Sequence, residues 1–244
     1  MKIKNILLIM LLCGIGFSGT QAQIYEATST KITKRHIDKD LISIKFGGSL
    51  PLGDYASTSI QSGDYTCALF DNFNTGAAKL GLTAGLAYTY YFNEERTIGL
   101  VTAIDYIRNG LNDKLEISAY ETLPTYSNIP ATLGLSYTYP VVEDIVNIYG
   151  EAGIGLNYRM ISDYTYNDGT YATYSKIEYD NAISFAFRAG IGAILYEHLT
   201  VSLDYYGLGS ADVDGYQQIS TMSNYFDGGN LNQSALLLRI GVCF

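Results

Sequence analysis

The sequence holds no Trp, 2 His, 4 Pro and 3 Cys in 244 residues. Charged residues amount to 16%, against about 25% in ordinary soluble domains. Each shortage excludes something. Two His leave few general bases for catalysis. Three Cys cannot staple a disulfide-rich mini-protein. The charge that is present is acidic in balance, net −9, which repels phosphate and argues against nucleic acid as a partner. After residue 40 no apolar run reaches the roughly 20 residues of a membrane-spanning helix. What the chain does have is 48% hydrophobic residues, 25 Gly and 23 Tyr, an apolar content that excludes a disordered chain.

The first segment sets the compartment. Residues 1–22 read as a secretory signal peptide. Lys2 and Lys4 form its basic start, Ile6 to Phe17 its apolar stretch, and Thr20-Gln21-Ala22 its small-residue cleavage site. The stretch Leu11-Leu12-Cys13-Gly14 is a poor lipoprotein signal, because the Cys falls inside the apolar stretch. Cleavage after Ala22 leaves Cys67 and Cys243, expected at opposite ends of the molecule and therefore unbonded. It also removes two of the 15 basic residues against 24 acidic ones, so the mature chain carries −11. Residues 23–40 are expected to be a periplasmic lead-in, and 41–244 the folded body.

That body alternates with period two. In 79–92, Leu80, Leu82, Ala84, Leu86, Tyr88 and Tyr90 share one face, and Gly81, Thr83, Gly85, Ala87 and Thr89 the other. Eight such segments can be drawn, at 41–52, 79–92, 97–108, 129–139, 147–159, 182–196, 199–209 and 234–244. Most have about ten residues or slightly more, the length at which a tilted strand crosses a bilayer. Odd-numbered connections run to about 20–26 residues and even-numbered ones to about 2–7, the rhythm of long outer loops and short inner turns. Residues 60–73 or 213–226 could lengthen strands beyond the membrane and leave ten strands as an alternative count.

Charges sort by face. Lys45, Asp105, Glu151, Arg188, Asp204 and Arg239 each lie on the small, polar face of their strand, opposite the apolar one. A basic residue on the lipid face near the midplane would cost about 2–4 kcal/mol. Polar in and apolar out is the reverse of a soluble barrel. Three bases and three acids in a lumen just wide enough for side chains are expected to pair into a plug. Tyr88, Tyr90, Tyr91 and Phe92, with Tyr137 and Tyr139, cluster at one set of strand ends, and Tyr106, Tyr158, Tyr205 and Tyr206 at or near the other. Such ends are where aromatic girdles form.

With these features the chain resembles the small outer-membrane β-barrels of Gram-negative bacteria. These include the OmpA-type and OmpX-type barrels and similar barrels of Bacteroidetes. The resemblance covers about residues 41–244 and rests on the signal peptide, the eight strands and the final strand Leu236 to Phe244. It implies an all-β, eight-stranded antiparallel up-and-down transmembrane barrel with long extracellular loops and short periplasmic turns. It further implies that Phe244, with Val242, Ile240 and Leu238 on its face, forms the signal read by the barrel-assembly machinery during insertion. Outer-membrane lipids and lipopolysaccharide are the implied surroundings.

Catalysis and cofactors find little support. His36 precedes the first strand and His198 sits in a periplasmic turn, so neither is placed to act at the outer leaflet; no enzyme is expected. Asp212-Val213-Asp214-Gly215 lacks the downstream Glu of an EF-hand and reads as a polar turn, so no metal or cofactor is expected. The long loops are acidic, with only Lys114 and Lys176 as bases, and Tyr-rich. That rim repels lipopolysaccharide phosphate but suits an extracellular protein or glycan. A structural or adhesive barrel is therefore the leading reading. The alternatives are a subunit of a protein-export apparatus, as resemblance to PorT-like barrels allows, a small channel, and a soluble lipocalin-like binding barrel.

Overall fold

A computed structural model describes residues 39–57, 76–112, 124–142, 145–167, 174–219, 222–226 and 229–244. Twelve strands are found among these residues. Eight close into an antiparallel barrel: β1(Asp40–Leu52), β2(Gly81–Tyr91), β3(Ile98–Gly110), β4(Thr125–Val142), β5(Val146–Ile161), β8(Ala182–Leu195), β9(Leu199–Asp212) and β12(Asn230–Cys243). Around the ring each strand pairs with its chain neighbours, and β12 closes on β1 through Ser43↔Cys243 to Leu52↔Ser234. Closure removes the sheet edges that hydrocarbon would leave unbonded. Phe244 extends the seam, exchanging both backbone hydrogen bonds with Ile42.

The strands run further toward the long-loop end than alternation suggested. β4 starts at Thr125 rather than 129, β12 at Asn230 rather than 234, and β9 reaches Asp212 rather than 209. Apart from Leu231 and Ala211 the extra residues are polar or aromatic, so alternation fades toward the long-loop end. Short turns close the other end. In the β8–β9 turn Tyr196 and Glu197 take φ of 51° and 62°, a left-handed pair that matches the twist of a hairpin.

The remaining strands are β6(Tyr164–Asn167), β7(Tyr174–Tyr179), β10(Gly215–Ile219) and β11(Met222–Phe226), a four-stranded sheet in the order β11-β10-β7-β6. Residues 213–226 therefore do not add barrel strands. Within them β10 pairs with β11, and β10 also pairs with β7 from the preceding long loop, Gly215↔Tyr179 to Ile219↔Ser175. Residues 60–73 lie outside the described residues.

Outward side chains are apolar and exposed, among them Leu82 (74%), Ile183 (69%) and Ile240 (67%). Inward ones are buried and mixed. Contrary to a uniformly small, polar interior, Ile107, Leu208, Ala235 and Leu237 pack with Tyr206 inside the wall. Their strand parity is inward, and tight packing fills the space that glycines leave elsewhere.

Candidate functional site

The lumen is layered, and its six charges form its middle. All are 9% exposed or less. Arg239 on β12 donates to Asp105 on β3 and, through Nη2 at 2.7 Å and Nε at 3.1 Å, to Asp204 on the neighbouring β9. Ser202 donates to the same Asp204 oxygen at 2.6 Å. Tyr206 donates to Asp105 Oδ2. Arg188 on β8 pairs with Glu151 on β5 at 2.6 Å. These are charge-assisted bonds between buried groups, each worth about 1.5–3 kcal/mol.

The sixth charge behaves differently. Lys45 meets no carboxylate directly. Its Nζ donates to the Tyr149 hydroxyl at 3.0 Å and lies 5.0 Å from the centre of that ring. Thr200 holds the same hydroxyl at 3.0 Å. The balanced three-and-three set thus splits into a triad, a pair and a lysine on a phenol. Register decides this: opposite charges meet only where strand order and stagger bring them level.

Two contacts span the full width of the lumen. Lys45–Tyr149 joins β1 to β5, and Tyr206–Asp105 joins β9 to β3; each pair of strands is four places apart in the ring of eight. Toward the periplasmic turns, Tyr91 and Thr138 share a hydrogen bond of 3.2 Å. The free thiol of Cys243 is buried near this end, on the inward face. Phe244 stands apart from the network, exposed at 69%.

Above the charges comes an amide layer. Asn109 accepts from Ser49 at 3.2 Å, and Asn157 donates to Asn128 at 2.9 Å and to the Leu208 carbonyl at 3.1 Å. Arg159, a seventh inward charge, donates to the Ala211 carbonyl at 3.1 Å and to that of Asp212. Over these sits an apolar lid. Tyr55, from the 3-10 turn Gly53–Tyr55, packs with Leu111, Tyr126, Ile161, Ile177, Tyr179 and Val213. The Tyr55 and Tyr126 rings meet edge to face at 5.2 Å. Burial pushes the Tyr55 phenol above its ordinary value, and its hydroxyl donates to Asn109 Oδ1 at 3.3 Å. Ile177 and Tyr179 come from β7, so the loop sheet itself supplies part of the lid.

The sheet's other face is exposed. Tyr216 and Tyr225 pair across β10 and β11 with ring centres 5.3 Å apart, and Glu178 lies opposite Tyr216 on β7. Lys176 bonds Glu178 and lies 3.3 Å from Asp163; the Glu178 bond, then that to Asp163, raises its pKa.

Several lumen residues were absent from the sequence set. Tyr149 has the parity of Glu151, Tyr206 that of Asp204, and Arg159 that of Glu151, so face parity alone would have found them. Tyr91 and Tyr206 are inward, which corrects their placement in the girdles: they lie on the polar side of their strands. Tyr90, Phe92, Tyr106, Tyr137 and Tyr139 do face outward and are exposed. Among the described residues no group of three or more His, Cys, Asp or Glu is arranged to hold a metal.

Comparison with solved structures finds similar chains. The outer membrane protein OprG from Pseudomonas aeruginosa is 19% identical, with 86% of this chain and 97% of that chain covered and a TM-score of 0.46. Ail, the attachment invasion locus protein of Yersinia pestis, is 16% identical, with 85% and 99% covered and a TM-score of 0.42. A major outer membrane protein from Thermus thermophilus is 10% identical, with 84% and 98% covered and a TM-score of 0.48. No curated protein matches. The OmpW family model matches residues 56–226, from the first long loop into the last, which is well over half of the chain. With a closed eight-stranded wall that is apolar outside, the chain belongs to the OmpW family and is a β-barrel of the Gram-negative outer membrane.

Proposed function

We propose that this barrel is closed along its axis by the network of Lys45, Asp105, Glu151, Arg188, Asp204 and Arg239, and that it acts at the cell surface through its acidic, Tyr-rich loops, in adhesion or structural contact. The observation that carries the closed lumen is the pair of bonds across its full width, Lys45–Tyr149 and Tyr206–Asp105. Side chains bonded from opposite walls obstruct the axis at those levels, which supports a closed lumen. The surface role is supported by the four-stranded loop sheet, whose exposed face carries Tyr216, Tyr225 and Glu178. Rigid aromatics and adaptable polar groups are what recognition surfaces use.

Planar-bilayer recording of the whole protein tests the first half. No stepwise conductance is expected at neutral pH, and regular steps from the wild type would overturn the closed lumen. For the second half, the wild type is compared on panels of extracellular proteins and glycans with a variant in which 213–228 is replaced by a short Gly-Ser link. A ligand bound by the wild type and lost by the trimmed barrel is expected; equal binding by both would overturn the loop role.

Phe244 is proposed as the terminal part of the signal taken by the barrel-assembly machinery. It is exposed and bonded to the closing strand β1. Phe244→Ala is expected to reduce the heat-modifiable form in outer-membrane fractions several-fold, with unfolded chain accumulating in the periplasm. An unchanged yield would remove this role.

A further inference from the structure

Among the described residues the loop end of the barrel is acidic, with Asp54, Asp163, Glu178, Asp180, Asp212 and Asp214. One stretch of its wall is not. Arg108 lies on the outward face of β3, exposed, two residues beyond Tyr106. Its register partners are Leu82 on β2 and Ser127 on β4. Tyr106 and Ser127 share a hydrogen bond of 3.1 Å on that same outer face. Lys79 completes the group. Its backbone N–H donates to the Gly110 carbonyl at 2.8 Å, and its stem crosses the outer face of Gly110, where an added Cβ would meet Cε at 2.9 Å. Gly110 is two residues on from Arg108, so both cations stand on one patch of outer wall.

The height of this patch is informative. From Ile98, at the periplasmic end of β3, to Arg108 is ten steps. At about 3.3 Å per residue and about 40° of tilt, these rise about 25 Å, the height of the apolar band. Arg108 therefore reaches the outer interface, beside the exposed Leu80 and Leu82. No carboxylate of the described residues forms an ion pair with it. A guanidinium at the edge of hydrocarbon needs a counter-charge, and phosphate suits its fork of donors. Leu82, level with Arg108 on the same outer face, offers an apolar contact for an acyl chain.

We infer that Lys79 and Arg108, with the Tyr106 and Ser127 hydroxyls, form a binding site for a phosphate of lipid A, the membrane anchor of lipopolysaccharide, on the outer wall of β2–β4. The site rests on the outer-membrane location and is independent of the loop reading.

The test uses the whole protein in lipid nanodiscs, with diphosphoryl lipid A and the same lipid after phosphatase treatment as probes. Retention of the phosphorylated probe is expected, with about tenfold weaker binding by Lys79→Gln/Arg108→Gln and about threefold by Lys79→Gln alone. Heat-modifiable migration confirms that each variant is folded. Arg108→Lys, which keeps the charge, is expected to retain most of the binding. Equal retention of the dephosphorylated probe, unchanged binding by the folded double variant, or equal competition by phosphatidylglycerol would each overturn the assignment.

Discussion

Replacing Arg239 with Met is expected to lower the stability of the folded barrel by about 3–5 kcal/mol, the loss found when one partner of a buried ion pair is removed. Arg239 is 1% exposed and bridges Asp105 and Asp204. Without it two buried carboxylates lose the cation that bridges them. One of them still holds the Tyr206 hydroxyl and the other that of Ser202. Neither hydroxyl supplies a charge. The measurement is urea unfolding of the protein in lipid vesicles, followed by heat-modifiable migration. The triple variant Asp105→Asn/Asp204→Asn/Arg239→Met should recover much of the loss, because it removes all three charges of the triad together. A single variant as stable as wild type would show that the triad contributes nothing to the wall.

A second large effect is expected from Gly85→Val. Gly85 faces the lumen directly across from Asp105, and an ideal Cβ there would fall on the Asp105 carboxylate and within 3.1 Å of Arg239 Nη1. A branched side chain must displace that carboxylate from Arg239 and Tyr206. Overpacking alone costs about 1–3 kcal/mol, and disturbance of the ion pair adds to it, so the total should approach that of Arg239→Met. Gly85→Ala should show a milder form of the same defect. The comparison is again the urea midpoint. Gly48→Ala serves as the control, since the nearest atom to an added Cβ there is 3.9 Å away. If Gly85→Val unfolds with the control, the glycine is not there to make room for the triad.

Much of this was legible from residues alone, and the limits have physical causes. Asp105 can be assigned to the lumen because a strand's side chains alternate and Ile104 and Tyr106 on either side are apolar. The same parity rule covered Tyr149 and Tyr206, but their rings also suit the membrane interface, so composition pulled Tyr206 toward the girdle. Lys45 shows a different limit. Its face was plain, but its partner was a phenol on the opposite wall, 104 residues away. Arg108 lies near a strand end, where its apolar stripe gives way to polar residues and its role cannot be read from alternation. The loop sheet was hidden because β7 and β10 pair across 30 or more residues of intervening barrel.

The sequence by itself placed eight wall segments, with ten strands left open, and the inward face of each of the six charges. Those features are local: a period of two and the cost of a charge in lipid. The tertiary structure alone decided which inward groups meet, that the loops join into a lid-forming sheet, and that Lys79 and Arg108 share one patch of wall. Those features depend on closure, strand order and stagger, which bring distant residues level around a ring.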